Sequence, residues 1–262
     1  MNLGIAGKKA IINGGSAGLG RASALALAQE GVELFISARG ADRLLRTCDA
    51  IATEFGVNVT PILADHSQEE GRAEILAACP EPDILVATSS PPRLVTDYRS
   101  IEEAELRNAL DTGLMSPFLS MQSVVGGMAE RGWGRVVNIT TSAVKYPLEL
   151  RILSGAPRAA LVNYAVAIAK GVARRNVTIN TLMPALHLTE GTRRILEPMA
   201  VSRGTSYEAE MERQIDALGL PAGRFGDAAE FGSVVAFFCG QQASYITGQS
   251  LVVDGGLNSA IV

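Results

Sequence analysis

Short apolar runs of strand length alternate along the chain with longer stretches of helical pattern. KKAIING (8–14), VELFISA (32–38), VNVTPILAD (57–65), PDILVATSS (82–90), WGRVVNITTS (133–142), NVTINTLMP (176–184) and SLVVDGG (250–256) predict strands. Most are nearly continuous in apolar residues rather than alternating, as strands buried on both faces are. Between them, LGRASALALAQEG (19–31) and GADRLLRTCDAIATEFG (40–56) predict helices, each stopped by a glycine. Ser100 with Glu103, Thr205 with Glu208 and Asp227 with Glu230 have the spacing of capping boxes. Longer helices are expected over 114–131 and 154–174.

Strand–helix alternation of this kind predicts an α/β fold: a Rossmann-type, doubly wound parallel sheet with helices on both faces. No repeat and no linker interrupts it, so residues 1–262 are expected to form one domain. The segment at about 186–225 is charged and helix-prone, and it follows the C-terminal end of a strand, where open sheets place their ligands. It reads as a substrate lid or, more plainly, as a surface insertion.

Composition narrows the function classes. Hydrophobic residues make up 47% and charged residues 19%, enough for a sizeable core, and the formal net charge of −4 comes with no Lys/Arg-rich run. Nucleic acid and anionic membranes are therefore not expected as partners. The N-terminal apolar run is broken by glycines and lysines, so neither a signal peptide nor a membrane span is expected, and a cytoplasmic location is. Cys48, Cys79 and Cys239 are too few and too scattered for a disulfide frame, and His66 and His187 for a zinc site.

Chemistry first shows in NGGSAGLG (13–20), where the first strand meets the first helix. Gly14, Gly18 and Gly20 allow a tight turn and let backbone N–H groups approach a pyrophosphate at a helix N-terminus. The second strand ends in Ala38 and Arg39 rather than in an acid. A guanidinium there suits a 2′-phosphate, so NADP(H) is favoured over NAD(H).

These motifs, with DILV (83–86), MAERGWGRVVNIT (128–140), INTLMP (179–184), RFGDAAEF (224–231) and YITGQSLVVDGG (245–256), span almost the whole chain. Together they resemble the short-chain dehydrogenase/reductase family, of the 3-oxoacyl-acyl-carrier-protein reductase type. The resemblance implies a nicotinamide cofactor, a small-molecule substrate and a homotetramer or homodimer. It implies that Ser16 and Leu19 join the three glycines around the phosphates. Asp65 would bond the adenine amine, Thr189 the nicotinamide carboxamide, and Thr88 and Pro184 would border the cofactor.

The chain leaves the family pattern at the reaction centre. By that resemblance the usual asparagine falls on Gly113, the serine on Thr141, the tyrosine on Ser154 and the lysine on Arg158. The stretch from Val144 to Arg158 is similar to one found in a reductase subgroup, which implies a divergent subtype rather than a single damaged copy. A serine is a far weaker acid than a phenol, and an arginine holds a ribose but does not pass a proton. Pro157 suits only a first helical turn, so a helix start near Ser154, with Ser154 as its N-cap, is expected. The candidate catalytic residues are therefore Thr141, Ser154 and Arg158, with Lys145, Tyr146 and His187 as relocated proton donors. Tyr164 and Lys170 are not a rebuilt pair, since a spacing of six turns them ~240° apart on a helix. Three readings follow: an oxidoreductase with a non-standard proton donor, a cofactor-binding sensor or partner subunit without turnover, and a lyase, dehydratase or isomerase in the same pocket.

Overall fold

The computed structural model describes residues 2–258. Its centre is a parallel sheet of seven strands: β1 (Lys9–Asn13), β2 (Glu33–Ala38), β3 (Val59–Leu63), β4 (Ile84–Ala87), β5 (Gly134–Ile139), β6 (Val177–Pro184) and β9 (Ser250–Val253), in the order β3-β2-β1-β4-β5-β6-β9. The order reverses between β1 and β4, so a crevice opens beyond their C-terminal ends. β7 (His187–Leu188) and β8 (Gly226–Asp227) form a separate parallel pair.

Helices cover both faces, as the strand pattern requires. α1 (Gly18–Gln29), α2 (Ala41–Phe55) and α9 (Ala228–Cys239) pack over a core built on Ile12, Leu34, Ile36 and Ile84. α3 (Glu69–Ala78), α5 (Ser116–Glu130) and α6 (Ile152–Val172) cover the other side, around Ile11, Leu85, Val136 and Ile179. Each fully buried isoleucine or leucine contributes about 1.5–3 kcal/mol on leaving water. With its flanking turns α6 is the one described helix long and apolar enough to cross a membrane. Its apolar residues Leu161, Ala165 and Ala169 are instead consumed by the core.

Local chemistry sets the element ends, not always at the expected residue. Asp227 and Glu230 form the predicted capping box on α9. α4 (Glu103–Leu110) is opened by Glu102 with Glu105 rather than by Ser100 with Glu103. The box spacing repeats in SIEEAE, and Ser100 is drawn into a preceding turn, its hydroxyl donating to the Asp97 carbonyl. α7 (Glu190–Arg203) and α8 (Tyr207–Leu218) build the 186–225 segment. Ser206, not Thr205, caps α8, because the Thr205 hydroxyl donates to Glu210. That glutamate is fully buried in the α7–α8 corner, 2.6 Å from Arg203 Nη1.

The expected helix at 114–131 is α5 preceded by a π-turn at Asp111–Met115, which joins it to α4. α6 starts at Ile152, close to the expected place, but Ser154 is not its N-cap. A 3-10 turn at Glu149–Arg151 runs directly into the helix and brings its start forward. Pro157 therefore lies inside α6, where it leaves the Leu153 carbonyl without its i+4 donor.

Candidate active site

The phosphate loop is fixed by its backbone. Gly14 and Gly18 adopt φ of +71° and +54°, values that favour glycine. A Cβ on Gly20 would lie 2.4 Å from the Gly14 carbonyl oxygen, so the first turn of α1 seats directly on the loop. Ala17, the N-cap, offers no side-chain bond to the helix's first N–H groups. An uncapped helix end beside an open glycine turn fits a pyrophosphate. Asn13 fastens the loop from below: its amide donates to Ser120 Oγ (3.2 Å) and its carbonyl accepts from Ser37 Oγ (3.1 Å). Leu19 packs against the core, and the loop rests on Thr88, whose carbonyl oxygen is 3.2 Å from where a Gly14 Cβ would be.

Charge collects at the far end of β2. Arg39 is largely exposed, with Nη1 3.7 Å from Asp65 Oδ2. Burial pushes the Asp65 pKa up, but hydrogen bonds from Ser67 and the Arg39 charge outweigh it, and the carboxyl sits below its usual value. Arg43 was missed by sequence reasoning. From the first turn of α2 its Nε donates to Ser16 Oγ (3.4 Å), and its Nη1 lies 3.9 Å from Glu190 of α7. A second cation four residues after Arg39 was a visible signal, but its direction was not. Thr189 caps α7, its hydroxyl accepting from Thr192 N (3.1 Å). Its side chain stands within 4 Å of a Cβ built on Gly18, so the start of α7 closes over the phosphate loop. Pro184 ends β6 beside it.

The second half of the site is a narrow cleft lined by Asn13, His66, Thr88, Ser89, Gly113, Arg158 and apolar neighbours. Arg158 reaches into it from α6 and is only 3% exposed. Its Nη2 donates to Ser89 Oγ (2.7 Å), and its Nη1 to Ser154 O and Oγ (both 3.3 Å). Burial, and then the like charge of Arg151, push its pKa down to about 10, which still leaves it a cation at neutral pH. Gly113 makes this placement feasible: a Cβ there would stand 3.1 Å from Pro157 Cβ and 3.3 Å from Arg158 Nη1. The glycine and the arginine are thus complementary in volume. The structure brings Ser154, Arg158 and Gly113 together, with Ser89 as an added member.

The other candidates are placed differently. Thr141 is half-buried and caps the 3-10 turn 142–144, its hydroxyl accepting from Ala143 N (3.3 Å). That turn abuts α6, for a Cβ on Gly155 would be 3.0 Å from the Ala143 carbonyl. Lys145 follows the turn and is exposed, and Tyr146 beside it is half-buried. His187 does not join the cleft lining. Its ring is buried edge-on against Phe231 (5.3 Å between centroids), and burial lowers its pKa. The β7–β8 pairing turns it inward beside Gly226, a long-range contact that the local sequence does not announce. His66 is the imidazole that does line the cleft; its Nδ1 pairs with Ser116 Oγ at 2.6 Å. Tyr164 packs on Phe118, with ring centroids 5.1 Å apart.

Comparison with known proteins agrees with this architecture. Residues 14–258 match the family described as Enoyl-(Acyl carrier protein) reductase. A dehydrogenase subunit of Thauera aromatica, BbsC, whose substrate is named as a hydroxy(phenyl)methylsuccinyl-CoA, is 34% identical over 95% of this chain and 94% of its own. The 3-oxoacyl-acyl-carrier-protein reductase of Aquifex aeolicus is 29% identical over 98% of this chain and 100% of its own. The L-sorbose reductase of Gluconobacter frateurii, solved with NADPH and L-sorbose, superposes with a TM-score of 0.95 at 26% identity, over the full length of both chains. By sheet order, glycine loop and these matches, the chain belongs to the short-chain dehydrogenase/reductase family, with the 3-oxoacyl-acyl-carrier-protein reductases among its relatives.

Proposed function

We propose that the protein is an NADP(H)-dependent oxidoreductase that interconverts a small or medium carbonyl compound and its alcohol, with a non-standard proton donor. The carrying observation is the seat of α1 on the loop: Gly20 has no room for a Cβ against Gly14, and the open helix end beside it suits a pyrophosphate. Arg39, with Arg43 behind it, gives the adenosine end the positive charge that a 2′-phosphate takes and that NAD(H) does not require. Pro184 and Thr189 border the place of the nicotinamide, which when bound supplies or accepts the hydride. α7 and α8 act as the substrate lid, and exposed Leu106, Leu110 and Met115 on one face support a homo-oligomer.

For the proton, Lys145 is the preferred donor. It is exposed just after the turn that abuts α6 at Gly155, whereas His187 is packed away and Arg158 stays charged near neutral pH. Thr141 keeps a hydroxyl able to hold the substrate oxygen. The test is a fluorescence titration with NADPH and NADH, followed by a carbonyl and alcohol screen read by nicotinamide absorbance. NADPH is expected to bind at least about tenfold tighter than NADH, a difference of about 1.4 kcal/mol, and Arg39→Ala to erase most of that preference. Binding of neither cofactor defeats the proposal. Lys145→Met is expected to lower kcat and leave NADPH binding unchanged.

A second reading is a subunit that binds cofactor without turning substrate over. Its support is that Gly113, Ser154 and Arg158 supply neither a phenol nor an ammonium group, and that the Thauera aromatica relative is named as a subunit. Tight NADPH binding with no absorbance change across the whole screen selects this reading.

A further inference from the structure

Arg158 is a buried cation without an anion. Three hydrogen bonds engage its guanidinium, all to neutral oxygens of Ser89 and Ser154. Among the described residues no carboxylate lies within ion-pairing distance, and none lines the cleft it enters. Buried charges are ordinarily paired, because water no longer compensates them. Serine hydroxyls and a helix carbonyl offer dipoles, and a ribose would add only more of them.

A second guanidinium stands nearby. Arg151 lies seven residues earlier, in the 3-10 turn that leads into α6. It too is half-buried, has no ion pair among the described residues, and is near enough for its charge to press on Arg158. Its like charge adds to the unfavourable burial of Arg158 and makes an anion there more welcome. The guanidinium has more N–H donors than the three in use, and its planar edge suits two oxygens of one group.

We infer that the cleft at Arg158 is a receptor for a carboxylate carried by the substrate, so that the substrate class is an acidic carbonyl compound or its hydroxy acid. Gly113 and Pro157 shape the receptor by holding Arg158 forward, and Ser89 orients its outer nitrogen. The inference deepens the oxidoreductase reading and rests on it for the word substrate. The receptor itself is tested without cofactor or turnover, so the two fail separately.

The full-length protein is titrated with sodium succinate at constant ionic strength, reading melting temperature and isothermal heat. Succinamide, which has the same shape without charge, and inorganic phosphate are run in parallel. Succinate is expected to stabilise and bind the wild type in the millimolar range, with succinamide and chloride inert. Arg158→Gln should abolish the binding, and Arg158→Lys, which keeps the charge but not the planar fork, should weaken it at least about fivefold. If Arg158→Gln does not fold by circular dichroism, Arg158→Lys decides alone. Equal succinate binding by wild type and Arg158→Lys, no binding by wild type, or a response to phosphate alone each overturns the inference. In turnover assays, acidic substrates should then outperform their methyl esters, and Arg158→Lys should raise KM for the acid more than for the ester.

Discussion

The two halves of the crevice obey different rules. At the phosphate loop the determinants are backbone: positive φ at Gly14 and Gly18, and a helix that touches the loop where Gly20 lacks a Cβ. At the Arg158 cleft they are side chains: Ser154, Arg158 and Ser89 joined by hydrogen bonds around the space Gly113 leaves. A backbone cradle tolerates little exchange, because an added Cβ has no room at Gly20 and strains the positive φ of Gly14 and Gly18. A side-chain cluster can be exchanged whole, provided its volumes and donors still match. The same fold can therefore keep a nucleotide site and carry a rebuilt reaction centre.

The sharpest way to break this contrast is at Gly20. Gly20→Ala should force the Gly14 carbonyl aside, lower NADPH affinity about a hundredfold and cost roughly 3 kcal/mol of stability, since backbone must move to admit the methyl group. Titration and denaturant melts read both; a variant that binds NADPH normally would show that the loop is not held by its glycines. Gly113→Asn comes next, with an expected loss of about 2 kcal/mol from crowding Pro157 and Arg158. Paired with Arg158→Lys, which withdraws the fork, it should recover about 1 kcal/mol in a double-mutant cycle. Strict additivity would mean that the two positions are not complementary.

The smallest effect tests a region outside both halves, the α7–α8 corner. Glu210 is buried against Arg203 and Thr205. Burial raises its pKa, but hydrogen bonds from Thr205 and Arg203 outweigh it, and the net shift is downward. A depressed folded value means the contribution is whole above the ordinary glutamate range, near about 4.3, and is lost as pH falls through the folded value. The melting temperature of Glu210→Gln should accordingly lie below that of wild type at neutral pH, and the gap should close in acid. A gap that does not change with pH would assign the residue to packing rather than charge.

Sequence reading reached furthest where one residue type answers one local demand. Continuous apolar runs gave the parallel strands, and glycines in a strand–turn–helix setting gave the loop, because burial on two faces and positive φ each select few residues. It reached less far wherever a distant partner decides. The capping signal at Ser100 was one of two overlapping boxes, and only packing selects Glu102. Pro157 implied a helix start, but the 3-10 turn before Ile152 carried the helix past it. His187 looked available as a loop histidine until the β7–β8 pairing closed it against Phe231. Arg43, His66 and Ser89 are not legible as site residues because each acts across 27 to 69 residues of chain.

The fit of Gly113 to Arg158 also constrains the order in which such a centre can be assembled. A side chain at 113 crowds Pro157 and the guanidinium from its first carbon onward, and a longer one competes with an arginine at 158 for the same space. A glycine at 113 closes nothing, since it leaves room for a long or a short cation alike. The glycine is the permissive step and the arginine the dependent one. Once the arginine is seated, returning a side chain to 113 costs stability until the arginine leaves, so the exchange runs more easily in one direction than the other.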